Sequence, residues 1–526
     1  MSAMLVVSAL LPLAGVRCRA ATDEGTWDGG ACPHPSSLRA DTFSRKREKG
    51  RVPMTRPAFP DTDGEAAWRA AVDKVLKGDD FERRLVTCSY DGIPLEPLYP
   101  AADTPAPSGV RRPCAVVARL DHPDADEAEA LEELENGADG LVLVVAGAAT
   151  ARGFGLDLAG LAVALRGVEL GLLPLRLDPA PFAGLDAMGA LLDLAEARRL
   201  DPAALDLDAG LDPLGDIARA AEAPEPWPAL ARLVADGATG LRDRGFAGPV
   251  LRADGRPHHE AGASEAQELA AGLAAGVAYL RALDAAGVPP DEGRRALSFL
   301  LAADADEMLT IAKFRALRRL WARVEESCGL VPAPIRLHAE TSWRMMARLD
   351  PHTNLLRATL ACVGAVLGGA DGVTVLPFTA PLGLADPSAR RLARNTALVL
   401  LREAGLDRVA DPAAGSGAIE AVTEALCSEA WVLFREIERE GGLAAALAGG
   451  SWQARVARMR EHRATALRSG VRAVVGTTAF RLAAEVPVTV LRPMPAVAPR
   501  LAPGAMPSMR DDQLFEPDDA ARRIAP

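Results

Sequence analysis

Residues 114–145 read CAVVARLDHPDADEAEALEELENGADGLVLVV. A short β-branched run (114–119), a longer amphipathic stretch and a second apolar run (139–145, DGLVLVV) make one strand–helix–strand unit. The pattern then repeats. Further strand-like runs stand at 172–177 (LLPLRL), 205–208 (LDLD), 248–253 (GPVLRA), 296–301 (ALSFLL), 334–338 (PIRLH) and 372–376 (GVTVL). Helix-period segments separate them. The clearest runs from Ser264 to Leu283, where Ser264 and Gln267 have capping-box spacing and Leu269, Leu273, Val277 and Leu280 share a face. Eight such alternations predict an α/β fold with a parallel sheet closed into a (β/α)8 TIM barrel. A doubly wound open sheet is the competing architecture, and the lack of GxGxxG after the first strand counts against it.

Outside this core the chain changes character. Residues 65–86 predict one helix leading into Tyr90-Asp-Gly-Ile-Pro-Leu-Glu-Pro-Leu-Tyr99, whose prolines and glycine suit an extended arm. Two charged helices are expected at 421–440 and 451–469, and the Pro-rich residues 491–526 read as a linker or tail. The expected organisation is a leader (1–53), a helix and arm (54–105), the barrel (106–410), a helical segment (411–490) and a tail (491–526).

Of the 526 residues, 49% are hydrophobic and 25% charged, which suits a large buried core and excludes a wholly disordered chain. Lys and Arg total 59 against 71 Asp and Glu, so the net charge is 59 − 71 = −12. Only five of the basic residues are Lys, a skew that reads as codon bias, and no basic cluster suits nucleic-acid binding. The seven cysteines lie far apart, which argues against a zinc site or a disulfide framework. After the first 20 residues no uncharged apolar run has membrane-spanning length, so no membrane association is expected. Residues 5–16 resemble the apolar part of a signal peptide but lack a preceding basic residue. Residues 1–53 carry +3 against −15 for the remainder, a break that suggests a start at Met54 and a cytoplasmic protein. A disordered extension and an export signal are the other readings.

Several segments, in order, resemble the methylmalonyl-CoA mutase family of adenosylcobalamin-dependent carbon-skeleton isomerases. They are Val75–Leu85 with Asp91–Tyr99, Glu260–Leu269, Ile311–Trp321, His338–Ser342 and Asp350–Asn354, followed by Ala393–Thr396, Asp411–Ser416 and Gly441-Gly442. The resemblance runs from about residue 64 to about 480 and implies a (β/α)8 barrel.

The departures bear on function. Where catalytic members carry Gly-Tyr-His, with the His on the substrate carbonyl, this chain has Gly255-Arg256-Pro257. His258 and His259 follow, and are expected to be solvated loop residues rather than substitutes. The family's His-Thr-Asn-Ala-Leu-Asp-Glu motif falls on residues 374–380, putting Thr374, Leu376, Thr379 and Ala380 in place of its polar groups. Neither the Thr-Met-Tyr segment nor the FDLATHRG run has a counterpart between 100 and 180, where Arg119–Pro123 and Val145–Ala149 stand. The expected strand ends offer Ala146, Pro257, Ala302 and Pro377. Asp178, Asp208, His338 and Glu340 are the remaining polar candidates, the last two read as a satisfied core pair. That set is thin for holding an acyl-CoA carbonyl. The cobalt-ligating Asp-x-His-x-x-Gly signature is met only by Asp350-Pro-His352, with Leu355 at the Gly position, and no cobalamin-binding domain is expected after residue 490.

Segments Ala149–Leu156 and Ser342–Arg348 resemble the small (beta) chain of heterodimeric members. The resemblance therefore implies a noncatalytic subunit with no catalytic, cofactor or metal residues of its own. A large (alpha) subunit would hold adenosylcobalamin (vitamin B12) and the acyl-CoA and interconvert methylmalonyl-CoA and succinyl-CoA by a radical shift. A catalytic barrel using a separately encoded cobalamin-binding chain, and an unrelated barrel protein, are the alternatives.

Overall fold

The computed structural model describes residues 64–102, 113–495 and 502–515. The expected leader and the last residues of the tail lie outside them. Two units are distinguished, residues 1–75 and 76–526. The described part of the first is helix Gly64–Leu76, with Glu65 in its first turn and Lys74 in its last, both favourable to the helix dipole. The single helix expected over 65–86 is two. Lys77 and Gly78 are left-handed, with φ of 53° and 95°, and end the first helix. Asp80 caps the second, Phe81–Leu85, by accepting from the Arg83 amide at 2.8 Å. The arm that follows is a small hairpin, with Thr87–Cys88 antiparallel to Pro94–Leu95.

Eight parallel strands form the core of the second unit: β1 (Ala115–Leu120), β2 (Gly140–Val144), β3 (Leu175–Asp178), β4 (Leu207–Asp208), β5 (Leu251–Asp254), β6 (Leu297–Ala303), β7 (Leu337–Thr341) and β8 (Gly372–Thr374). Apart from β4 with β5, each pairs with its sequence neighbours, and β8 pairs with β1 through Gly372↔Ala115 and Val373↔Val116. The one thin seam lies between β4 and β5. There Leu211, past the end of β4, bridges Leu251 and accepts from the Arg252 amide at 2.8 Å. The strands form a TIM barrel, as the alternation of runs implies.

The helices that matter for the site are α1 (Gly184–Ala197), α2 (Pro213–Ala220), α3 (Trp227–Asp243), α4 (Arg256–Glu260), α5 (Glu265–Ala285), α6 (Glu307–Ser327), α7 (Thr353–Gly368), α8 (Gly417–Arg439) and α9 (Ser451–Arg468). Helix α5 begins with the expected capping box: Gln267 N–H donates to Ser264 Oγ, and the Gln267 side chain accepts from the Ser264 amide. Asp91 of the hairpin accepts from the Ser264 hydroxyl and from the Ala266 amide, pinning the arm to this helix start. Against the barrel wall, Trp321 of α6 meets Phe299 of β6 edge to face at 4.7 Å, over the gap left by Gly276 of α5.

Residues 502–515 run over the C-terminal ends of the strands: Met506 N–H donates to Ala218 O (2.9 Å), Met509 N–H to Glu260 O (3.1 Å) and Asp511 N–H to Arg344 O (2.8 Å). Met506 and Leu514 are buried there, two apolar anchors too widely spaced to show as a pattern in the sequence.

Candidate functional site

Catalysis in this architecture takes place at the C-terminal ends of the strands. Those ends and the interior beneath them hold a lattice of buried charges. Strand alternation turns Arg176 and Asp178 of β3, Arg252 and Asp254 of β5, and His338 and Glu340 of β7 to one face, while Leu175, Leu177, Leu251 and Ala253 pack into the apolar core. Arg256 is the hub. Its guanidinium reaches Asp178 (2.8 Å), Asp254 (2.7 Å) and Glu340 (3.0 Å). Arg252 bridges Asp178 (2.9 Å) and Asp208 (3.2 Å). Arg119 holds Asp121 (3.0 Å), Glu340 (3.3 Å) and the Thr150 carbonyl (2.8 Å).

The polar set is therefore not thin, as composition suggested, but dense and mutually engaged. Burial alone would raise the Asp178 carboxyl, yet Arg256, Arg176 and Arg252 overcome it and hold it well below the usual range. Burial acts against Asp208 too, and Arg252 lowers it on balance. Arg176 donates to the Thr374 hydroxyl at 3.2 Å and is pushed down to about 10 by burial, still charged at neutral pH. Most of the donors and acceptors that a substrate carbonyl would need are aimed at one another, while Arg176 Nε and Nη1 are buried with no hydrogen-bond partner among the described residues.

His338 and Glu340 are not a pair with each other. Glu340 belongs to the arginines. His338 lies 3.5 Å from Asp208, but burial pushes it down to about 3, so the imidazole is neutral and the contact is no ion pair. His258 and His259 are not solvated either: both are buried in α4. His258 Nδ1 accepts from Trp452 Nε1 at 3.1 Å, and burial pushes it down to about 4. His259 sits between Glu268 (2.9 Å) and the Ser342 hydroxyl (2.8 Å). That Ser–His–Glu order is the one a hydrolytic relay uses. Here it is sealed, with Ser342 1% and His259 and Glu268 0% exposed. Lys313, 2.6 Å from Glu268, neutralises the acid end. Burial would raise Glu268, but Lys313 and His259 outweigh it and hold it down at about 2.

The other positions singled out in the sequence lie apart from this lattice or fill space. Leu376 is core, Thr379 is buried, and Ala380 packs on the core's edge. Six of the seven histidines are described. His352 stacks on Phe378 at 5.1 Å, and Asp350 accepts from the Thr353 hydroxyl. His122 Nδ1 accepts from the Asp124 amide, and His462 packs edge-on to Tyr90. The described residues include no cluster of metal-ligating side chains. The lattice arginines were not anticipated. Their signal was present in the alternation of Leu-Arg-Leu-Asp (175–178) and Leu-Arg-Ala-Asp (251–254).

These observations define a (β/α)8 barrel protein whose interior is filled by its own ion pairs. Sequence comparison agrees with the architecture: the methylmalonyl-CoA mutase family model matches residues 132–501. The chain belongs to the methylmalonyl-CoA mutase family. It is 42% identical over 487 residues to the methylmalonyl-CoA mutase small subunit of Streptomyces virginiae, a match covering 87% of this chain and 76% of that protein. Similarity to the small subunit of Propionibacterium freudenreichii subsp. shermanii is 33%, over 73% of this chain and 63% of the relative. For that of Porphyromonas gingivalis it is 30%, over 80% and 70%.

Proposed function

We propose that this chain is the small (beta) subunit of a methylmalonyl-CoA mutase: a barrel that supports a catalytic large subunit and performs no chemistry itself. One observation carries the reading. Arg256, at the position where the resemblance puts the carbonyl-binding segment of catalytic members, is tied to Asp178, Asp254 and Glu340 rather than left available to a substrate. Displacing it would strand buried carboxylates at a cost of several kcal/mol each. Adenosylcobalamin, which supplies the radical chemistry when bound, and the acyl-CoA are assigned to the large subunit. No described helix is long and apolar enough to cross a membrane. The reading places the assembly in the cytoplasm.

The test is co-expression with the large chain. The purified small chain should stay colourless after mixing with adenosylcobalamin and desalting. In the complex, Pro257→His should leave turnover per assembled heterodimer unchanged. A tenfold change in turnover with normal assembly would overturn the noncatalytic reading, and would favour a catalytic barrel instead.

A further inference from the structure

Beside the lattice, between α1, α2 and α3 and the ends of β3 to β5, lies a cavity of about 300 Å³. Part of its wall is apolar: Leu211, Leu230 and Val234 are buried, and Leu233 is 57% exposed. One end is polar and carries a cation. Arg219 lines the cavity, and its Nε and Nη2 are buried and make no hydrogen bond among the described residues. The nearest carboxylate, Glu260, lies 3.9 Å away and is already engaged by Arg152 at 3.1 Å and by the Ser508 hydroxyl.

Of the acidic groups lining the cavity, Asp178 and Asp254 are ion-paired with Arg252 and Arg256, and Asp212 and Asp216 are hydrogen-bonded. Asp212 accepts from the Tyr279 hydroxyl, and Asp216 accepts from the Phe182 amide at 2.9 Å. Burial, reinforced by Asp254, pushes Asp212 up to about 8, so at neutral pH it is mostly uncharged and does not repel an anion. Unused donors at one end and a hydrocarbon wall at the other call for a ligand with an acceptor head and an apolar body.

We propose that this cavity binds a small aliphatic monocarboxylate, its carboxylate on Arg219 and its chain along Leu211, Leu230 and Val234, entering past Leu233. The cavity abuts the ion-paired interior, sharing Asp178, Asp254, Arg252 and Arg256 with it, and the proposal does not rest on the subunit assignment. A charge-assisted contact to a guanidinium makes the head group discriminating, while the chain supplies most of the affinity.

The experiment is calorimetric titration of the full chain with octanoate, octan-1-ol and octylamine at pH 7, none of which needs a partner or a corrin. Octanoate is expected to bind with a Kd of about 0.1–1 mM, reasonable for ten non-hydrogen atoms. Octanol and octylamine should bind at least about tenfold more weakly. Arg219→Gln should remove that preference without changing octanol binding, and Leu233→Asp, at an exposed position, should weaken octanoate and octanol alike. Either variant with native circular dichroism serves, so a folding failure in one leaves the other decisive. The proposal is overturned by no octanoate binding up to about 10 mM. Equal or tighter binding of octanol or octylamine, or octanoate affinity unchanged in Arg219→Gln, also overturns it.

Discussion

The barrel's axis and its outer wall solve the same problem, filling space inside a closed sheet, with opposite materials. Along the axis, Arg119, Arg176, Arg252 and Arg256 interlock with Asp178, Asp208, Asp254 and Glu340. In the wall, Trp321, Phe299 and the apolar residues of α5 around Gly276 pack through dispersion and area. The wall's contribution is graded, because each methylene removed takes away its own share of contacts. The axis is all-or-none: a complete set of ion pairs adds little net stability over an apolar filling, yet removing one member strands its partners in a low-dielectric space. The difference teaches that the axis fixes which side chains face which, whereas the wall supplies the free energy.

The comparison breaks most readily at the hub. Arg256→Met frees contacts to three buried carboxylates, so a loss of about 4–5 kcal/mol is expected by urea denaturation. A loss under about 1 kcal/mol would mean the axis is as forgiving as the wall. Next in size is Trp321→Ala, which should cost about 3–4 kcal/mol by the same measurement and lower the yield of folded chain, without altering turnover of any surviving complex.

Acid probes a charged site outside the axis. Glu268 has its ordinary value near 4.5 when unfolded and is held at about 2 when folded, mainly by Lys313 acting against burial. Its stabilisation is complete above about pH 4.5 and disappears as pH falls toward 2, amounting to about 3 kcal/mol. Lys313→Met should abolish that slope, which a pH series of thermal midpoints would show. The smallest effect concerns packing: a Cβ on Gly276 would sit 2.7 Å from the Trp321 ring. Gly276→Ala should therefore cost about 1–3 kcal/mol in chemical denaturation, and in Trp321→Ala the penalty should vanish.

Strand composition made the barrel legible, since runs such as DGLVLVV and ALSFLL have few other uses and recur at even spacing. Capping chemistry did the same for α5. The axis was missed because fifty-odd arginines spread over the chain look like a genomic habit, and only strand parity separates Arg176 and Arg252 from the rest. His258 and His259 were misread for a related reason. Two adjacent histidines after a proline look like a loop, and what buries them is Trp452, nearly two hundred residues downstream, with Glu268 and Ser342. Long-range partners leave no local trace.

The strap of residues 502–515 sets a schedule for the molecule. Ser508 and Met509 meet Glu260 across about 250 positions of chain, and Met506 reaches back to Ala218. During synthesis the strands emerge first and can pair in order, but the barrel's mouth waits until this late segment arrives. Contacts of such sequence separation form slowly, because a long loop must close before they are rewarded. For that interval Glu260 and the edge around Arg344 lack their cover, and the nascent barrel is open at the end where the finished one is shut.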